Sequence, residues 1–351
     1  MQITAARSQR TGRQRRTVRI AFFCQRVAAF CAAAVLFFAI PGLRAVAGQA
    51  SGPVPVRREL TDEMGRHVQI PREVQRVVSL APNLTEIVFA LGEGNHLAGD
   101  TDYCDYPSEA LQKPHVGGTL NPNLEQIVAL MPDLVLATKS INRRETVSAL
   151  DHVGLPVYVT GDPHSVDDMI LSLEHVGGVL GAEKSAAKLA GDLRARLSDL
   201  DHRLAGATPR RVLFVVWTEP LISIGGDTFI ADALRRAGGR SIIETQAEWP
   251  HINLEEVVRL QPEFLVFAIA HAGDTHRDIE ALRSRPGWKN LQAMERGNIV
   301  VVSEAIDRPA PRMVDAIEKL ARTLHPEAFS SPAAISAQPD PNVEEACACA
   351  R

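Results

Sequence analysis

The chain has 351 residues, 45% of them apolar and 23% charged, with a formal net charge of -4. That length accommodates two globular lobes with terminal extensions, and the composition is that of an ordinary soluble protein. The mildly acidic balance, with basic residues scattered outside the first 26 positions, excludes an electrostatic nucleic-acid binder.

Arg7, Arg10, Arg13, Arg15, Arg16, Arg19 and Arg26 precede a largely apolar stretch from Val27 to Leu43, which the small residues of Ala45 to Ala50 follow. This order is that of a secretory signal, with cleavage expected after Ala47. A retained membrane span would need a longer run without Pro41. Arg15-Arg16 leaves the Sec and twin-arginine routes both open. Neither Cys24 nor Cys31 has the leucine-small-small context of a lipoprotein signal, so no lipid anchor is expected. Cys104 stands alone in the body of the chain, with Cys347 and Cys349 near its end. This is neither a disulfide framework nor a CxxC metal site.

Residues 48–56 read as a linker. Glu59 to Pro71 alternates on both sides of Gly65 and predicts a β-hairpin. Arg76 to Leu80 predicts a buried strand, and Asn83 with Glu86 has the spacing of a capping box opening a helix that ends near Gly92. Leu97 to Gly99, Leu134 to Ala137 and Val157 to Val159 predict further strands, so the sheet should be largely parallel with its ligand at the strand ends. A helix from Ser165 to about Leu180 precedes a second from Ala182 to about Leu204. In the latter, Ala186, Leu189, Leu193, Leu197, Leu200 and Leu204 keep helical spacing over roughly 30 Å. Arg211 to Val216 then opens a second set: a helix from Phe229 to Ala237, a strand from Ile299 to Val302 and a helix from Pro311 to about Leu324.

One segment occurs twice. Asn123 to Ala137 recurs as Asn253 to Phe267, with six of fifteen positions identical. Each copy reads as an Asn-capped short helix with an acid in its first turn, stopped by Pro132 or Pro262 and followed by a buried strand. The spacing of 130 residues is too long for a solenoid, so the copies belong to two similar lobes. The expected fold is α/β, with two lobes that each hold a mainly parallel sheet flanked by helices and are joined by one long helix. The lobes are placed at 57–160 and 209–326, the helical connector at 161–208 and a disordered tail at 327–351. A helical connector is stiff, so the lobes should hinge little.

The segments Arg76 to Glu86, Tyr103 to Pro107, Val116 to Gly118, both copies of the repeat and Ala310 to Arg312 resemble the periplasmic solute-binding proteins of the iron-siderophore, haem and vitamin B12 class. The resemblance spans about residues 57–326. It is greatest to the cobalamin-binding branch, through Asp102 to Pro107, Glu248 to Pro250 and Arg308 to Arg312. It implies a non-catalytic, monomeric periplasmic component of an ABC importer, without a cofactor, binding a corrinoid, or alternatively a ferric siderophore or haem. By the same resemblance Tyr103, Trp217, Trp249 and Arg308 are ligand-binding residues, and Glu125 and Glu255 dock arginines of the dimeric permease in the inner membrane. Thr119 and Thr138 stand where that pattern has aromatics, and the second-lobe disulfide of the family's best-known member is absent.

The residues themselves bear on these roles. A broad apolar ring with polar fringes needs aromatic faces and a few fixed hydrogen-bonding groups. Tyr103, Tyr106, Trp217 and Trp249 all fall in loops after predicted strands, with Tyr106 read as structural and Trp288 as helix-end packing. Arg308 could grip a ligand amide or carboxylate with its planar fork, or pair on the surface with Asp307 or Glu304. The helix macrodipole alone accounts for an acid at Glu125 or Glu255, and Glu256 competes for the second docking position. A metal site through His271 and His276, with His115 and His251, is a further reading. A secreted hydrolase lacks support, since no GxSxG, HExxH or nucleophile-base pair stands at a strand end.

Overall fold

A computed structural model describes residues 56–330, except 244, 246, 247 and 269–274; at 275–278 only the backbone is described. The signal segment, nearly all of the 48–56 linker, His271, the His276 side chain and everything past 330 lie outside the described residues. The chain enters on an antiparallel hairpin of β1 (Arg57–Thr61) and β2 (His67–Pro71), in which Arg57 faces Pro71 and Thr61 faces His67. Gly65 turns the hairpin at φ 76°, where L side chains are disfavoured, and Asp62 Oδ1 accepts the Met64 and Arg66 amides at 3.0 and 2.8 Å.

The first lobe contains β3 (Val77–Ser79), α1 (Pro82–Ala90), β4 (Leu97–Gly99), α2 (Leu124–Ala129), β5 (Leu134–Thr138), α3 (Arg144–His152) and β6 (Val157–Thr160). Its parallel sheet has the order β4-β3-β5-β6. Two helices follow, α4 (Val166–Leu180) and α5 (Glu183–Leu204). The second lobe contains β7 (Arg210–Val215), β8 (Trp217–Thr218), β9 (Leu221–Ile222), α6 (Phe229–Arg236), β10 (Gly239–Ser241), α7 (Leu254–Leu260) and β11 (Phe264–Ala268). It continues through α8 (Thr275–Arg283), α9 (Gln292–Arg296), β12 (Ile299–Val302), α10 (Met313–Leu324) and α11 (Pro326–Phe329). Its parallel sheet has the order β10-β7-β11-β12, which is the same topology strand for strand.

The duplicated segment is α2-β5 in one lobe and α7-β11 in the other, and the likeness reaches the backbone. Asn123 caps α2 by accepting the Gln126 amide, and Asn253 caps α7 by accepting the Glu255 amide. Met131 and Gln261, each just before the stopping proline, are the positive-φ non-glycine residues among the described residues, at 46° and 45°. Proline disfavours the helical region for the residue before it, which is why each helix ends there. Arg76 then donates to the Leu130 carbonyl and Arg211 to the Leu260 carbonyl, both at 2.6 Å, satisfying last-turn acceptors that the helix leaves open.

The long connecting helix α5 is backed by α4. At Gly177 a Cβ would lie 2.3 Å from that of Ala186, so only glycine lets α4 approach α5 this closely. Leu193, Leu197 and Leu200 are buried, and Arg196 ties α5 to Glu318 of α10 at 2.9 Å. The Val166 amide at the start of α4 donates to Asp232 of α6 at 2.8 Å. One apolar cluster runs from Val77 and Leu84 through Met169 and Leu193 to Phe214 and Leu320, so the lobes share a core across the connector. Burial on that scale opposes hinging. At the far end, order continues beyond the expected boundary at 326. Residues of α11 are held by Arg210, 3.0 Å from Glu327, and by Arg322 over the Phe329 ring at 4.6 Å.

Candidate functional site

In each lobe the parallel strands deliver their C-terminal ends to one rim, where open α/β sheets bind ligands. In the first lobe β4 runs into residues 100–107. The Asp100 amide donates to Pro114 O at 3.0 Å, Val116 to Asp100 O at 2.7 Å and Asp102 to Gly117 O at 3.0 Å, so residues 114–117 extend the sheet beside this loop. Asp100 is fully buried, its Oδ1 is 2.7 Å from His115 Nδ1, and burial pushes its carboxyl up to about 6 while His115 pulls the other way. That contact engages one nitrogen of a histidine considered for metal. Cys104 is buried between the Thr85 and Thr101 hydroxyls at 3.2 Å, and burial raises its thiol, which makes it a poor nucleophile. The frame leaves Tyr103 exposed at the rim.

In the second lobe β7 passes directly into a small ribbon. Trp217 faces Ile222 across β8 and β9, and residues 248–252 run along the other side of 221–225. Ser223 donates to Pro250 O at 3.1 Å, Gly225 to Glu248 O at 3.0 Å and Ile252 to Leu221 O at 2.9 Å. The ribbon therefore presents Trp217 and Trp249 together, 52% and 44% exposed, in a chain with only 5% aromatics. Trp217 Nε1 donates to Glu219 O at 2.8 Å, which fixes the ring while leaving its faces open.

The lobes are joined at this rim by an ion cluster. After β12, Arg308 is buried and donates from Nη1 to Glu86 Oε1 at 3.2 Å. Its Nη1 also meets Asp105 Oδ1, and its Nη2 donates to Asp105 Oδ2 at 3.2 Å, a bidentate pair across the lobes. Arg312 donates from Nε and Nη2 to Glu86 at 2.7 and 2.8 Å and from Nη1 to Glu304 at 2.9 Å. Its guanidinium lies 4.3 Å from the centre of the Tyr106 ring, which gives Tyr106 its structural role. Burial raises the carboxyls of Asp105 and Glu304, but their arginines outweigh it and hold both below the usual carboxylate range.

Two sequence expectations are corrected here. The fork of Arg308 is engaged by Asp105 and Glu86 of the other lobe, not by Asp307 or Glu304 on the surface, so it is not open to a ligand carboxylate. Asn83 and Glu86 form no capping box: α1 starts at Pro82 behind an Ala81 cap without a side-chain bond, and both residues are buried inside the helix. Sequence reasoning missed Glu86 for that reason, and Asp105 and Arg312 because their partners are remote in the chain. The available signal was Pro82, a residue that favours the first helical turn and so places Glu86 within the helix.

Glu125 and Glu255 are exposed in the first turns of α2 and α7, each helix starting directly after a rim segment. Among the described residues neither has a cationic partner, whereas Glu256 is 2.8 Å from Arg259. Trp288 is buried against Phe267, ring centres 6.1 Å apart, as helix-end packing requires. Thr138 is buried, and Asn142 links its amide to the Leu80 and Thr119 carbonyls. A groove of about 660 Å³ runs along α7 and the edge strand β10 and reaches Pro250 to Ile252 of the ribbon, but none of the exposed aromatics lines it. Among the described residues no group of three metal-ligating side chains gathers.

The model of the family described as "Periplasmic binding protein" matches residues 77–305. This chain belongs to that family. A vitamin B12-binding protein of Vibrio parahaemolyticus is 31% identical over 249 residues, 70% of this chain and 87% of the relative. The crystal structure of the periplasmic vitamin B12 binding protein of Vibrio cholerae superposes with a TM-score of 0.63 at 26% identity, covering 73% of this chain and 98% of that one. A periplasmic haem-binding protein from Pseudomonas aeruginosa superposes at 0.66, also at 26% identity, over 72% and 93%. Among the described residues no helix is long and apolar enough to cross a membrane.

Proposed function

We propose that this chain captures a cobalamin-like corrinoid between its lobes and delivers it to a membrane permease. As a periplasmic binding protein it is the substrate-binding component of an ABC importer. In this reading Tyr103, Trp217 and Trp249 pack on the ring, the Arg308–Asp105 pair meets its fringe, and Glu125 and Glu255 engage the permease. The chain acts as a monomer in the periplasm after loss of residues 1–47, with 57–160 and 209–330 as its lobes. It needs no cofactor and performs no catalysis.

The observation that supports a planar ligand best is the joint exposure of Trp217 and Trp249 on one ribbon after β7, together with the exposure of Tyr103 in the loop after β4. Solvent-facing aromatics lose apolar contact with nothing bound, and a ring placed between them removes that surface from water. The vitamin B12-binding relatives favour a corrinoid among such rings. A haem is the second reading, favoured by the similarity to the Pseudomonas aeruginosa protein. Trp249→Ala and Tyr103→Ala should each weaken cobalamin binding by about 1–3 kcal/mol, because each removes a preformed stacking face. Titration of both variants checks this, and unchanged affinity in the two would remove them from the site.

A further inference from the structure

We propose that Asp105 sets the charge selectivity of the cleft: its carboxylate accepts hydrogen bonds from neutral amides on the ligand's fringe and repels ligand carboxylates. This rests on the reading of the cleft as a site for a tetrapyrrole-like ring. Asp105 lies two residues from Tyr103 in the same loop, so the edge it presents belongs to the rim on which the ring would stack. Arg308 holds the carboxylate from behind through both Nη atoms, while half of the Asp105 side chain remains exposed. Each carboxylate oxygen keeps a second lone pair for an incoming N–H.

The charges around the pair point the same way. Two guanidinium groups, Arg308 and Arg312, face three carboxylates, Glu86, Asp105 and Glu304, which leaves one negative charge in excess. Arg308 is 7% exposed and Arg312 is turned to Glu86, Glu304 and the Tyr106 ring, so the two offer no planar fork to an anionic fringe. A carboxylated ring would bring like charge onto Asp105, whereas an amide-fringed ring brings donors. Selectivity of this kind comes from the repulsive element as much as from the attractive one.

The test compares one ring with two fringes: dicyanocobinamide, whose side chains are amides, and dicyanocobyrinic acid, whose side chains are carboxylates. The wild-type protein should prefer the amide ring by at least about tenfold, and Asp105→Asn should shrink that ratio by about tenfold. Asp105→Ser should shrink it too, and a melting curve on each variant establishes that the fold is retained. A ratio unchanged by both folded variants overturns the assignment. Haem and its dimethyl ester form a second pair. If only these bind, the corrinoid reading fails on its own, and Asp105 stands if the wild type prefers the ester and Asp105→Asn relaxes that preference. Binding of neither ring overturns both.

Discussion

Glu86→Ala should destabilise the folded chain by about 3–5 kcal/mol, the usual effect of removing one member of a buried ion cluster. The Glu86 side chain is 2% exposed and takes three hydrogen bonds, two from Arg312 and one from Arg308. Without it, two largely buried guanidinium groups lose their shared acceptor, and Arg312 keeps only Glu304. The desolvation cost of those cations then stands uncompensated. Replacing Glu86, Arg308 and Arg312 together by methionine should recover most of the loss, because apolar groups of similar volume need no partner. Urea denaturation of the single and triple variants checks the pair of results. A loss below about 1 kcal/mol in Glu86→Ala would show that the cluster behaves as exposed pairs do.

The combined Glu125→Lys, Glu255→Lys variant should abolish stimulation of the permease's ATPase in liposomes while leaving ligand affinity nearly unchanged. The two carboxylates occupy equivalent first-turn positions in lobes of identical strand order, on a frame whose core is continuous through the connector. Two such acids at fixed separation can engage two arginines of a dimeric permease, and lysines there would repel it. The helix macrodipole offers the rival account, in which each acid only favours its own helix by about 0.3–1 kcal/mol. That account expects a lower melting temperature and intact stimulation. Measuring melting, affinity and ATPase on the same variant separates the two.

Much of the fold was legible because periodicity and turn chemistry carry it. The duplicated helix-strand segment announced two lobes, and its capping asparagines and stopping prolines act in both copies as the spacing predicts. The unbroken apolar spacing from Ala186 to Leu200 announced the connector. Among the strands, β8, β9 and β10 were not legible: the β8–β9 hairpin has two residues per strand, too few to show an alternating pattern, and β10 pairs with β7 across the intervening ribbon and α6. The environment of the rim residues was legible where exposure could be inferred from position after a strand, as for Tyr103, Trp217 and Trp249. It was illegible where partners are remote, since Arg308 and Glu86 are separated by 222 residues and no local pattern links them. The same local logic made Glu86 look like a helix cap.

The corrinoid reading is tested most directly by titrating the folded chain with cyanocobalamin while following heat and tryptophan fluorescence. The account expects saturation at one ligand per chain, quenching that Trp249→Ala diminishes, and protein that stays red after desalting. No heat and no retained colour with cyanocobalamin, alongside saturable binding of haem, a ferric siderophore or zinc, would contradict it.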